Sequence, residues 1–211
     1  MKLTRLDVLI TKMIKKVRNI VFPGSAVYWE KRYRKNGTSG SGSYGSSAEY
    51  KADFLNRFVK EHVIQNVIEF GCGDGNQASQ FHFPSYIGLD ISPTAIEKCS
   101  EVCEADPSKQ FFILDKKSTP LKAELTLSLD VIYHLIEKEV YENYLKQLFD
   151  TATKYVIIYA WDVEEGKKYH VRHRKFTKWI EDNVSNFQLV EKVSKQSCCD
   201  FFIYGKMGLD L

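Results

Sequence analysis

The sequence predicts an α/β domain built on a mostly parallel sheet with helices on both faces. Three observations predict it. From residue 63 onward, short β-rich runs alternate with helical stretches. An apolar run, VIEF, enters three glycines at alternate positions, GCGDG. Further apolar runs each end in an acid, at Asp90, Asp115 and Asp130.

The chain has 211 residues, enough for one such domain with at most an appendage. Its composition, 44% hydrophobic and 27% charged, is that of a globular protein, with 13% aromatic residues. A net charge of +3 is too small to indicate a nucleic-acid partner. The basic excess is concentrated in residues 1–35, where only Asp7 and Glu30 are acidic, so the remainder is mildly acidic. The five cysteines include an adjacent pair, Cys198 and Cys199, and repeat no C-x-x-C spacing. Neither a disulfide framework nor a zinc site follows. Cys99 and Cys103, one helical turn apart, read first as small apolar residues on a packed helix. No apolar run spans a bilayer and no secretory segment is recognisable, so a reducing, cytoplasmic setting is the expectation.

Residues 1–24 form the first unit. Leu3, Leu6, Ile10, Met13, Val17 and Ile20 recur at steps of three and four among lysines and arginines, the pattern of a basic amphipathic helix. It fits an anionic membrane surface or a partner, and equally a helix packed on its own domain. Residues 25–62 form the second unit. An aromatic-basic stretch at 28–33 precedes a Gly/Ser-rich segment at 36–47, and a helix pattern covers 49–62. Such a segment serves as a linker or as a lid over a ligand, and the flanking helices favour the lid. Tyr28, Trp29, Tyr33 and Tyr44 offer stacking faces to an acceptor, with Ser39 to Gly45, Ser43 among them, closing over it; the alternative is that these aromatics pin the N-terminal helix to the core.

Residues 63–211 carry the alternation. Strands are expected at 66–70, 86–90, 110–114, 125–130 and 155–161, with two more at 187–193 and 199–204. Helices are expected at 75–81, 93–103, 138–152 and 176–183. In sheets of this kind a ligand sits at the carboxyl ends of the strands, near the point where strand order reverses.

The glycines of VIEFGCGDGNQ (67–77) allow a tight turn and close approach of the backbone to a ligand. Dinucleotide sites space them G-x-G-x-x-G beside a pyrophosphate. Here the spacing is G-x-G-x-G with Glu69 and Asp74 alongside, and carboxylates repel a pyrophosphate but suit an ammonium group or a sulfonium. In YIGLDIS (86–92), Asp90 ends the second strand where a ribose diol is held in nucleotide-binding folds, and Ser92-Pro93 opens a helix. Asp115 ends the third strand as an acceptor for an adenine amino group or as an exposed turn carboxylate. In LSLDVIYHL (127–135), Asp130 ends the fourth strand and His134 follows, placed for general-base work. His170 and His173 are alternative bases. Arg172 and Arg174 suit an anionic part of an acceptor, or belong to a solvated basic turn.

VIEFGCGDGNQ, YIGLDIS and LSLDVIYHL, in that order and at these separations, resemble the donor-site motifs of the class I methyltransferases that use S-adenosylmethionine (SAM). The resemblance covers residues 63–206. It implies a Rossmann-like, seven-stranded sheet whose last strand is antiparallel. It also implies SAM as cofactor, with S-adenosylhomocysteine (SAH) as product. Carried over, Glu69, Gly71, Gly73 and Gly75 shape the methionine and ribose site, Asp90 holds the ribose hydroxyls and Asp130 the amino-acid end, and Asp115 lies near the adenine. Cys72, Asp74, Gln77, Ile91 and Val131 complete that set. YWEKRYRKNGTSGSGSYG (28–45), GCGDGNQ (71–77) and HVRHRKF (170–176) further resemble small methyltransferases of glycan and surface-polysaccharide assembly, which suggests a sugar hydroxyl as acceptor. Other small molecules, a protein or RNA remain alternatives, as does a non-catalytic SAM-binding protein. Asp130-Val131-Ile132-Tyr133 lacks the Pro-Pro of enzymes that methylate nucleobase amines, and an oxidoreductase is disfavoured by the glycine spacing and the missing Tyr-x-x-x-Lys pair. No metal is expected, because the acids are spread over several strands.

Overall fold

The computed structural model describes residues 22–114, 121–166, 169–194 and 199–208. The expected helix at residues 3–21 and the acid Asp115 lie outside the described residues. Seven strands form one sheet: β1 (Val67–Phe70), β2 (Tyr86–Asp90), β3 (Lys109–Ile113), β4 (Ala123–Leu129), β5 (Ala152–Ala160), β6 (Phe187–Ser194) and β7 (Asp200–Lys206). Their order is β3-β2-β1-β4-β5-β7-β6. The first five strands pair in parallel, and β7 runs antiparallel to both of its neighbours. The chain moves outward from β1 to β3 and then returns to β4 on the other side of β1. That reversal opens a crevice at the carboxyl ends of β1 and β4.

The α-helices are α1 (Ser25–Arg34), α2 (Gly45–Glu61), α3 (Pro93–Val102), α4 (Lys138–Thr151) and α5 (Phe176–Asn183). Side-chain alternation along the strands sorts the interior into two layers. Ile68, Phe70, Val156 and Ile158 pack with Leu145 and Leu148 of α4 and Phe176 of α5. On the opposite face Val67, Leu125, Leu127 and Ile157 pack with Leu55, Phe58 and Val59 of α2. The central strand β4 is buried on both faces, so its polar side chains need internal partners. Thr126 Oγ1 donates to the carbonyl of Leu148 at 3.0 Å. Ser128 Oγ accepts from the Tyr144 hydroxyl at 2.7 Å.

One expected element is corrected. The helix at 75–81 is a single 3-10 turn, Ala78–Gln80. Phe81 and Phe83 are both buried, and burying residues two apart on one side demands extended backbone rather than helix. Asn56 of α2 secures that conformation: its Nδ2 donates to the Gln80 carbonyl at 3.0 Å, and its Oδ1 accepts from the His82 N–H at 2.8 Å. No helix among the described residues is long and apolar enough to cross a membrane.

Candidate active site

A cavity of about 710 Å³ opens at the carboxyl ends of β1, β2 and β4, within the size range of sites that enclose small ligands. Its floor is the turn after β1. Gly71 has φ +83, and a Cβ there would come 2.6 Å from Val131 Cγ2, so the turn and the loop after β4 fit only without a side chain. Cys72, Gly73 and Gln77 also line the cavity, with Glu69, Asp90, Ile91, Asp130, Val131 and His134 from the neighbouring strand ends.

The acids differ in what they face. Glu69 is fully buried and accepts from the Tyr86 hydroxyl; burial pushes its carboxyl up to about 7, against the lowering effect of Tyr86 and of Lys51. Asp90 accepts from the Gly73 N–H at 3.1 Å and the Ser92 N–H at 2.9 Å. Burial nevertheless raises it to about 6. Asp130, on a left-handed backbone with φ 60, accepts from Lys51 Nζ at 2.6 Å and from the Tyr133 hydroxyl at 2.8 Å.

Asp74 corrects a sequence expectation, because its carboxylate faces the Gly/Ser segment and not the cavity. Its Oδ2 accepts from the Ser39 N–H and the Tyr44 hydroxyl, each at 2.8 Å. The Asp74 N–H in turn donates to Ser39 Oγ at 2.9 Å. Asn76 Nδ2 donates to the Ser43 carbonyl at 2.7 Å, and Tyr33 and Ser39 share a hydrogen bond of 3.1 Å. The Gly/Ser segment therefore lies on the glycine turn, with Tyr33, Ser39 and Ser43 on the cavity wall. Tyr44, expected to offer a stacking face, instead uses its hydroxyl to hold this segment; burial and Asp74 raise that hydroxyl to about 12.

α1 crosses the mouth of the cavity and is tied at two points. Glu137 accepts from the Ser25 N–H at 2.9 Å and the Ser25 hydroxyl at 2.6 Å, satisfying the first turn of the helix with a carboxylate. Glu30 accepts from the hydroxyls of Ser92 at 2.6 Å and Thr94 at 2.9 Å, at the start of α3. The Ser92 bond leads the effects that hold Glu30 below the usual carboxylate range. Trp29 thereby reaches the cavity wall, its ring edge-on to His134 at 4.9 Å.

His134 Nδ1 lies 2.9 Å from the carbonyl of His170. A carbonyl only accepts, so Nδ1 carries the proton and Nε2 keeps its lone pair. Burial, ahead of all other influences, lowers His134 to about 4, so the ring is neutral at pH 7. The His170 ring stacks between Tyr28, at 4.6 Å, and His134, at 5.4 Å. Tyr28 belongs to that stack and does not line the cavity.

The 170–174 segment also departs from expectation. Arg174, read as a ligand for an anionic acceptor, donates to the carbonyls of Leu135 and Ile136, both at 2.8 Å, with its guanidinium 4.3 Å from the Tyr141 ring centroid. It ties α5 to the turn bearing His134. His173 packs its ring against Tyr133 and Trp161 and does not line the cavity. Arg172 contributes its backbone N–H to the Tyr133 carbonyl at 2.8 Å. Sequence reading missed Lys51 and the Ser25–Glu137 pair. Lys51 had a visible signal: it falls among Ala48, Ala52, Leu55 and Val59 on the apolar face of its helix.

No family model matches the chain, and no curated protein matches it. Solved structures do. The N-methyltransferase NodS from Bradyrhizobium japonicum WM9, in complex with SAH, is 15% identical with TM-score 0.69, over 87% of this chain and 99% of that one. Magnesium protoporphyrin IX methyltransferase, ChlM, from Synechocystis PCC 6803 with bound SAM is 15% identical with TM-score 0.60, over 91% and 96%. The methyltransferase domain of bacterial CtHen1 is 20% identical with TM-score 0.55, over 74% and 98%. With its sheet order and single antiparallel strand, the chain has the fold of the class I SAM-dependent methyltransferases.

Proposed function

We propose that this chain transfers the methyl group of SAM to a hydroxyl of a small acceptor, a sugar or glycan intermediate being the class its sequence suggests, with His134 as general base. One observation carries the reading: His134 stands on the cavity wall with Nδ1 bonded to a carbonyl and Nε2 left as a lone-pair acceptor. Support for the donor comes from NodS and ChlM, whose structures hold SAH and SAM. The residues here fit it. Asp90 suits a ribose diol, and Glu69 and Asp130 suit an ammonium group. Gln77 Oε1 is a buried acceptor with no partner among the described residues, on the wall of the same cavity.

Bound SAM supplies an electrophilic methyl carbon on a sulfonium, with a neutral thioether as leaving group. The chain's task is then to align the acceptor, exclude water and take a proton. Trp29 offers a face for the acceptor, the 36–44 segment covers the turn, and Nε2 of His134 receives the hydroxyl proton as the oxygen–carbon bond forms and the carbon–sulfur bond breaks. Asp130 favours the resulting imidazolium through its charge. An amine acceptor is the second reading, favoured by the Glu137 and Glu139 carboxylates on the cavity wall.

The test is calorimetric titration with SAM and, separately, NADH, followed by methyl transfer to panels of sugars and of amines. SAM binding without NADH binding, and transfer to a sugar hydroxyl, is the expected result; no SAM binding overturns the reading, and transfer to amines alone replaces it with the second. The pH dependence follows from the two raised acids. Asp90 and Glu69 ionise in the folded chain only near 6 and 7. The Glu69 carboxylate receives an ammonium group better than its acid form and the Asp90 carboxylate accepts better from ribose hydroxyls, so SAM affinity should rise from about pH 5.5 to about pH 8 and binding should release protons. Calorimetry in buffers of different ionisation enthalpy reads that release directly.

A further inference from the structure

Lys51 of α2 is fully buried, which charged side chains almost never are without a partner. Its ammonium donates to Asp130 Oδ2 at 2.6 Å and stands 5.3 Å from the ring centroid of Tyr159 on β5. Asp130 has the left-handed backbone that a residue with a side chain adopts only under outside constraint. Its N–H donates to the Tyr159 carbonyl at 3.0 Å. From the covering segment, a Cβ added at Gly42 would come 2.8 Å from Asp130 Oδ2. A helix, a strand and the covering loop thus converge on one carboxylate, and that carboxylate also lines the cavity.

Charge gives the arrangement its point. Glu69, Asp90 and Asp130 crowd the inner end of the cavity, and the field of Lys51 lowers Glu69 against burial. The groups that face the Lys51–Asp130 pair are Glu69 on β1, Tyr133 and His134 after β4, and Tyr159 on β5, with Asp90 at the end of β2 acting on Glu69. Each carboxylate oxygen of Asp130 accepts two hydrogen bonds, so the contacts from Lys51 and Tyr133 leave capacity for a ligand donor.

Resting on the methyltransferase reading, we propose that Lys51 is the positioning residue of the donor site: its ammonium fixes Asp130 at the cavity wall to receive the ammonium end of SAM and offsets the acids gathered there. A purely structural ion pair would differ in ligand binding and not in stability: a buried pair replaced by neutral residues of similar size often leaves stability unharmed, and SAM binding would then be unharmed as well.

The experiment is calorimetric titration with SAM from about pH 5.5 to 8, alongside thermal melting, for wild type, Lys51→Arg, Lys51→Met and the double variant Lys51→Met/Asp130→Asn. The double variant holds no unpaired buried charge and should melt near wild type while binding SAM at least about tenfold more weakly. Lys51→Met, wherever it folds, should bind with its pH midpoint moved upward, because Glu69 loses a neighbouring cation. Lys51→Arg should restore part of the affinity. Wild-type affinity in the double variant together with an unmoved pH midpoint in Lys51→Met would overturn the proposal and leave the pair structural. Absence of SAM binding by the wild type would instead sink the methyltransferase reading beneath it.

Discussion

Replacing His134 by alanine is expected to lower turnover by about 10²–10⁴-fold, the usual contribution of a positioned general base. SAM affinity should stay within about twofold of wild type, since the group acts on the acceptor's proton and not on the donor. Calorimetry and a methyl-transfer assay on the same preparations separate the two effects. His134→Gln is the companion variant, because its amide keeps a donor for the His170 carbonyl, which accepts from Nδ1 at 2.9 Å, and so preserves the loop without supplying a base. The pH profile adds an independent check. With its pKa lowered to about 4, the ring is neutral through the physiological range, so loss of the base should begin only below about pH 5. Turnover that survives in both variants would assign the proton acceptor elsewhere, with His170 next in line.

Asp90→Ala should weaken SAM binding by roughly 10- to 100-fold, the loss expected when a carboxylate that holds paired hydroxyls is removed from a closed site. The change reaches further than the ligand. Asp90 accepts from the Gly73 and Ser92 N–H groups, so it joins the glycine turn to the start of α3. Leaving those donors unpaired costs about 1–3 kcal/mol. Asp90→Asn keeps an acceptor for one of the two backbone N–H groups, which Oδ2 and Oδ1 now accept separately, and removes the charge, so it should melt between wild type and Asp90→Ala. If Asp90→Ala binds SAM like wild type, the ribose assignment is wrong.

The sequence was most legible where local chemistry suffices. Each strand expectation lies within a few residues of the observed strand, and 86–90 and 176–183 coincide with β2 and α5. Periodicity of two or 3.6 is written into neighbouring residues, and Ser92-Pro93 announces its helix through a cap that indeed accepts from the Ala95 N–H. The glycine turn was readable for the same reason, because its backbone demands no side chain whatever surrounds it. The 75–81 segment shows the limit: its helical pattern yields to two phenylalanines that the core takes from an extended chain.

What each polar group faces was decided only by the folded chain. Asp74 and Asp90 are both acids beside the glycines, yet one holds Ser39, 35 residues before it, and the other remains on the cavity wall. Arg174 looks like an anion ligand until the carbonyls of Leu135 and Ile136, nearly 40 residues back, are seen to occupy it. Lys51 meets Asp130 across a separation of 79 residues. Residue type and spacing set which elements form, because those depend on backbone geometry within a turn or a strand. Which carboxylate is paired, which is buried and which is left to meet a ligand depends on segments far apart in the chain, and their approach exists only once the sheet and its helices have packed.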